Sequence, residues 1–131
     1  MFTSIHHIHY VVRNRDEMVE YIRNTFGMEP DDLHVVEGRG MKDALYRVGE
    51  TLIEITEPLD ADSGIGQHLA DHGPGVYHVA FGVENVRQVA ADLAAKGNRL
   101  RGRGRRHAKP TRLHHRQHRT RRQPGVVVPI S

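Results

Sequence analysis

The sequence predicts an α+β fold built from two related units, the second of them incomplete or altered. Three observations lead there. HIHYVVRN at 7–14 lines up with HVAFGVEN at 78–85, an offset of 71 residues. Each copy reads as strand, Asn cap, amphipathic helix and closing Gly, and a repeated unit of this kind usually packs against its own copy about a pseudo-twofold axis. The chain is 131 residues long, 37% hydrophobic and 27% charged, which suffices for one ordinary domain and not for two. The charge is split near Gly97. Residues 1–97 hold all 16 acidic residues and 8 Lys and Arg, a net of −8, whereas 98–131 hold 11 basic residues and no acidic one, a net of +11.

The elements follow in order. Ile5–Val12 is rich in β-branched and aromatic residues and reads as a strand. Asn14 or Asp16 caps a helix carrying Met18, Val19, Ile22 and Phe26 at helical spacing, closed by Gly27. Leu33–Val36, Ala44–Val48 and Thr51–Thr56 are three short strands, the last two joined as a hairpin through Gly49-Glu50. Ser63 caps a short helix with Ile65 and Leu69 on one face, closed by Gly73. Gly75–Val83 is a strand, and Asn85 caps a helix with Val86, Val89, Ala90 and Leu93, closed by Gly97. Residues 1–60 thus form a β-α-β-β-β unit and 61–74 a linker with a short helix. Residues 75–97 begin a second unit, and 98–131 are an Arg-rich tail.

Several classes are excluded. No apolar run approaches the ~20 residues of a membrane-spanning helix. The N-terminal stretch has no basic flank followed by an apolar core, so a secretory signal is not expected. The chain has no cysteine, so disulfides and thiolate chemistry are out; a cytoplasmic location is the expectation. From Asn98 to Pro124 the only hydrophobic residues are Leu100, Ala108 and Leu113, too few for a core face. That stretch reads in two ways. It is a disordered basic arm, through which alone nucleic acid would bind, or the product of a GC-rich gene read in a shifted frame.

Chemistry concentrates in three residues. His7 and His78 occupy the same place in the two copies, and a pseudo-twofold brings them towards one axis. Alternation puts His7, His9 and Val11 on one face and Ile8, Tyr10 and Val12 on the other. Glu54 sits between Ile53 and Ile55 in a strand, where a carboxylate is costly to bury without a partner. A single strand histidine is more often a hydrogen-bonded structural residue than a ligand, but the repeat-related pair is not explained that way. Imidazole with carboxylate is a ligand set for zinc, cobalt, nickel, manganese or iron.

HHIHYVV at 6–12, VGETLIEITEPL at 48–59 and SGIGQHLADHGPGVYHVAFGVENV at 63–86 resemble the vicinal oxygen chelate superfamily. That superfamily contains glyoxalase I, bleomycin-resistance proteins, extradiol dioxygenases and the methylmalonyl-CoA epimerases, and the order and spacing are most like the epimerases. The resemblance covers residues 4–97. It implies paired βαβββ modules in a cupped mixed sheet around one divalent metal, with His7, Glu54 and His78 as ligands. The remaining ligand, a glutamate on the last strand of the second module, has no counterpart: GVVVPIS places Pro129 there, and no acidic residue follows Asp92. That glutamate is also one of two proton-transfer bases in the epimerases. For the other, Glu37 is nearest, with Gly38 in the aligned column.

The resemblance implies a metal that binds the thioester carbonyl and a neighbouring carbonyl of a small acyl-CoA. A carboxylate then removes the α-proton. The alternatives are a glyoxalase I-like lyase, an extradiol dioxygenase, or a non-catalytic, bleomycin-resistance-like binder. A homodimer is the expected assembly.

Overall fold

In a computed structural model, β1 (Phe2–Val11) lies inside a six-stranded sheet ordered β2-β3-β4-β1-β5-β6. The structure describes residues 1–36, 38, 40–98 and 125–128. β1 pairs in parallel with β4 (Thr51–Pro58) and antiparallel with β5 (Gly75–Val83), so the sheet is mixed. β2 (Asp32–Val36) and β3 (Met41–Val48) extend one side, and β6 (Gly125–Val128) forms the opposite edge. The β3–β4 hairpin turns through Gly49 at φ 60°, with Val48 paired to Thr51, a two-residue turn that favours glycine.

The helices begin at Asn or Ser caps. α1 (Arg15–Phe26) starts where the Asn14 side chain accepts from the Glu17 N–H and ends at Gly27 in the left-handed region. Val19, with Met18 and Ile22, packs on Tyr10, Val12, Ala44, Tyr46, Ile53 and Ile55. α2 (Gly64–His72) starts at Ser63 and sets Ile65 and Leu69 against Val11, with Met41 and Tyr77 alongside. Val11 and Val12 therefore serve opposite faces of the sheet. α2 covers one end of the Val11 face. α3 (Val86–Ala95), capped by Asn85, buries Val89 and leaves Leu93 half-buried.

The repeat is written into the β1–β5 register. Ile8 pairs with Val79, its own counterpart at an offset of 71, so a pseudo-twofold passes between them. The flanking pairs His7–Ala80 and His9–His78 exchange under that rotation. The register slips between Ile5 and His7 and again between His9 and Tyr10, which makes His6 the extra residue on β1 and Tyr77 the extra residue on β5. These bulge residues are likewise 71 apart. The symmetry ends beyond α3: β4 runs parallel to β1, whereas β6 runs antiparallel to β5. GVVV therefore adds an edge strand in the opposite sense to that expected of a second module's last strand. The Arg-rich stretch 99–124, Glu37 and Pro129 lie outside the described residues.

Candidate functional site

The uncovered part of the Val11 face is polar. β1 contributes His6, His7 and His9, β4 contributes Glu54 and Thr56, β5 contributes Tyr77 and His78, and β3 contributes Asp43. His7 Nε2 lies 4.0 Å from Glu54 Oε2, with these side chains 20% and 26% exposed. The His7 and His78 rings are 5.6 Å apart, and those of His9 and His78 are 4.9 Å apart. His7, Glu54 and His78 therefore share one face on three adjacent strands.

The bulges explain why neighbouring residues meet here. Strand alternation sends successive side chains to opposite faces, yet a bulge turns two successive ones to the same side. His6 Nδ1 thus reaches His7 Nδ1 at 2.9 Å, one ring donating and the other accepting. Tyr77 lies 5.2 Å from His78 and 5.5 Å from His9, centroid to centroid, and touches His68 of α2.

His9 has a buried partner chain. The Thr56 hydroxyl donates to Asp43 Oδ1 at 2.6 Å, so its oxygen accepts from His9 Nε2–H at 2.7 Å. His34 Nε2 approaches the other Asp43 oxygen at 3.3 Å. Thr56 is fully buried and Asp43 nearly so. Three of the imidazoles, those of His7, His9 and His78, are pushed towards the neutral form. Burial first, then the His6 and His78 rings, lowers His7 to about 4. Burial first, then His78 and His7, lowers His9 to about 4. Burial also lowers His78.

The profile of the glyoxalase/bleomycin resistance protein/dioxygenase superfamily matches residues 6–114. The chain belongs to that superfamily. A Streptomyces coelicolor methylmalonyl-CoA epimerase in complex with 2-nitronate-propionyl-CoA is 34% identical with a TM-score of 0.70, covering 78% of this chain and 75% of that one. The mitochondrial methylmalonyl-CoA epimerase of Bos taurus is 25% identical over 97 residues, 73% of this chain and 55% of the relative. A 4-hydroxyphenylpyruvate dioxygenase of Caenorhabditis elegans is 29% identical over 99 residues, 73% of this chain and 25% of the relative. The chain thus spans about half and a quarter of these two curated relatives.

Neutral imidazole nitrogens and a carboxylate oxygen are the donor set that a divalent cation takes. Among the described residues no three His, Asp or Glu side chains already enclose one cation-sized point. Ligands on ~2.1 Å bonds at a tetrahedral centre stand ~3.4 Å apart, slightly closer than His7 and Glu54 are now. Within the superfamily fold, then, the chemistry fits a divalent cation and the backbone places its donors on one face.

Sequence reasoning named His7, Glu54 and His78 but did not assign His6, Thr56 or Asp43 to this face. The run His6-His7-Ile8-His9 was the available signal for a histidine-rich strand.

Proposed function

We propose that the chain is a metal-dependent enzyme of the methylmalonyl-CoA epimerase type, acting by proton transfer at the α-carbon of a small acyl-CoA thioester. The observation that carries this is the grouping of His7, Glu54 and His78 on one sheet face, about the pseudo-twofold between β1 and β5. The similarity to epimerases, one of them complexed with 2-nitronate-propionyl-CoA, supports the substrate class. A divalent ion of cobalt, zinc, nickel, manganese or iron supplies Lewis-acid polarisation of a carbonyl, which acidifies the neighbouring C–H.

This chain's own residues do the rest. His7, His78 and Glu54 hold the ion. Burial keeps the imidazoles unprotonated at neutral pH, so no proton has to leave before they bind it. In this reading Glu37 is the base that takes the α-proton. A homodimer in the cytoplasm is the assembly and location that go with it.

A second reading is a superfamily member that binds its ligand without turnover. It is favoured by the lack of any acidic residue after Asp92, which leaves an inverting reaction one base short. The deciding experiment is deuterium incorporation at the α-carbon of methylmalonyl-CoA in deuterated water. Metal-dependent exchange, abolished by His7→Ala, supports the enzyme. Loss of one proton-transfer group sets the expected rate ~10²–10⁴-fold below that of an enzyme with both. Binding of methylmalonyl-CoA with no exchange above background identifies the non-catalytic binder.

A further inference from the structure

We propose that His9 is a third imidazole ligand of the cation, so that His7, His9 and His78 together with Glu54 form a four-ligand set. The inference rests on the metal-dependent reading above and adds a residue to it.

The backbone makes the first argument. His7 and His9 are two apart on one strand and so face the same way. His9 stands directly across from His78 in the antiparallel register. A His-X-His pair on one strand with a third histidine opposite brings three imidazoles together without any loop. The His9 ring is closer to His78 than the His7 ring is, at 4.9 against 5.6 Å.

The hydrogen bonds make the second. His9 donates from Nε2 to Thr56, which donates in turn to Asp43. That fixes the tautomer and leaves Nδ1 as the nitrogen with the lone pair. A ligating histidine ordinarily donates its other N–H into such a buried, carboxylate-ended partner, which orients the ring and raises its basicity. The His6–His7 contact can do the same for His7: if His7 Nδ1–H donates to His6, His7 Nε2 carries the lone pair on the side of Glu54.

Departure from symmetry makes the third. The pseudo-twofold places His9 where the second copy has Ala80, which is buried opposite His7. The face therefore gains an imidazole on one side of the axis and keeps a methyl group on the other. This asymmetry suits one cation drawn towards His9 and Glu54.

The test is a cobalt(II) titration of the full chain, followed by visible absorption and proton NMR. The wild type should show three exchangeable, paramagnetically shifted imidazole N–H signals that disappear in His7→Ala. Signals that persist in His7→Ala belong to other histidines and are not counted. His9→Ala should leave two signals and weaken cobalt binding by at least about tenfold. Thr56→Val, which removes the acceptor of the His9 Nε2–H but no donor atom to the cation, should keep three signals and weaken binding about 10–100-fold. Far-ultraviolet circular dichroism of each variant matching the wild type separates loss of a ligand from loss of the fold. Two signals in the wild type, with His9→Ala binding cobalt normally, would overturn this inference and leave the proposed metal site of His7, Glu54 and His78 standing. No His7-dependent signal at all would overturn both.

Discussion

His9 is buried, neutral and hydrogen-bonded to a buried Thr56–Asp43 pair. Its folded value of about 4, like that of His7, lies below the ~6.5 of an unfolded chain. Between those values the unfolded state binds protons that the folded state refuses. The stability these residues confer is therefore complete above pH ~6.5 and is lost as pH falls towards 4. Urea denaturation at a series of pH values should show the midpoint falling across that window, and His7→Gln with His9→Gln should flatten the fall. Thr56→Val leaves the Asp43 carboxylate without its hydroxyl donor inside the protein. That should cost about 1.5–3 kcal/mol, read from the same urea curves at neutral pH.

Helix ends carry the next scale. The Asn14 side chain accepts from the Glu17 N–H, and Asn85 accepts from the Gln88 N–H. Asn14→Ala should cost about 1 kcal/mol, seen as a lower Tm, because α1 is the helix that covers the Tyr10–Val12 face. These ends were legible in the sequence, since cap and closing glycine are local signals; Asn14, Ser63 and Asn85 all cap where expected. Gly75–Val83 matches its expected span for the same reason. β3 starts at Met41 and not at Ala44, because Lys42 and Asp43 look like loop residues until Thr56 is known to stand beside Asp43. The site divides along the same line. His7 and His78 were legible because the repeat relates them. The partner of His9 was not, because Thr56 and Asp43 reach it only through sheet pairing. Nor were the bulges, which place His6 beside His7 against simple alternation.

At the scale of the whole molecule, the charge split and the broken symmetry act together. Residues 1–97 carry −8 and residues 98–131 carry +11. Attraction between them is screened within ~10 Å at 0.1 M salt. Stability should therefore fall as salt rises, measured as a lower urea midpoint in sodium chloride. α3 buries Val89 while Val86, Ala90 and Leu93 stay half-buried, each large side chain forgoing part of about 1.5–3 kcal/mol. A second copy is the expected cover. The Tm should then rise with protein concentration, and sedimentation should show a dimer; a concentration-independent Tm and a monomer at all loadings would refute this.

The paired bulges bear on how such a chain tolerates changes of length. Removing one residue from an ordinary strand inverts every side chain on one side of the cut. His6 is an exception. Ile5 and His7 already face opposite sides as though His6 were not counted, because the bulge turns His6 to the same side as His7. Excising it leaves Ile5 next to His7 with the inside-out order of both halves intact. The same holds for Tyr77 between Val76 and His78. A chain lacking His6 should fold with the register of β1 preserved, whereas one lacking Ile8, on the pseudo-twofold itself, should not. His6 and Tyr77, with Thr3 near the start of β1, are thus places where this strand pair can absorb an insertion or a deletion, and the first two lie beside the histidine cluster.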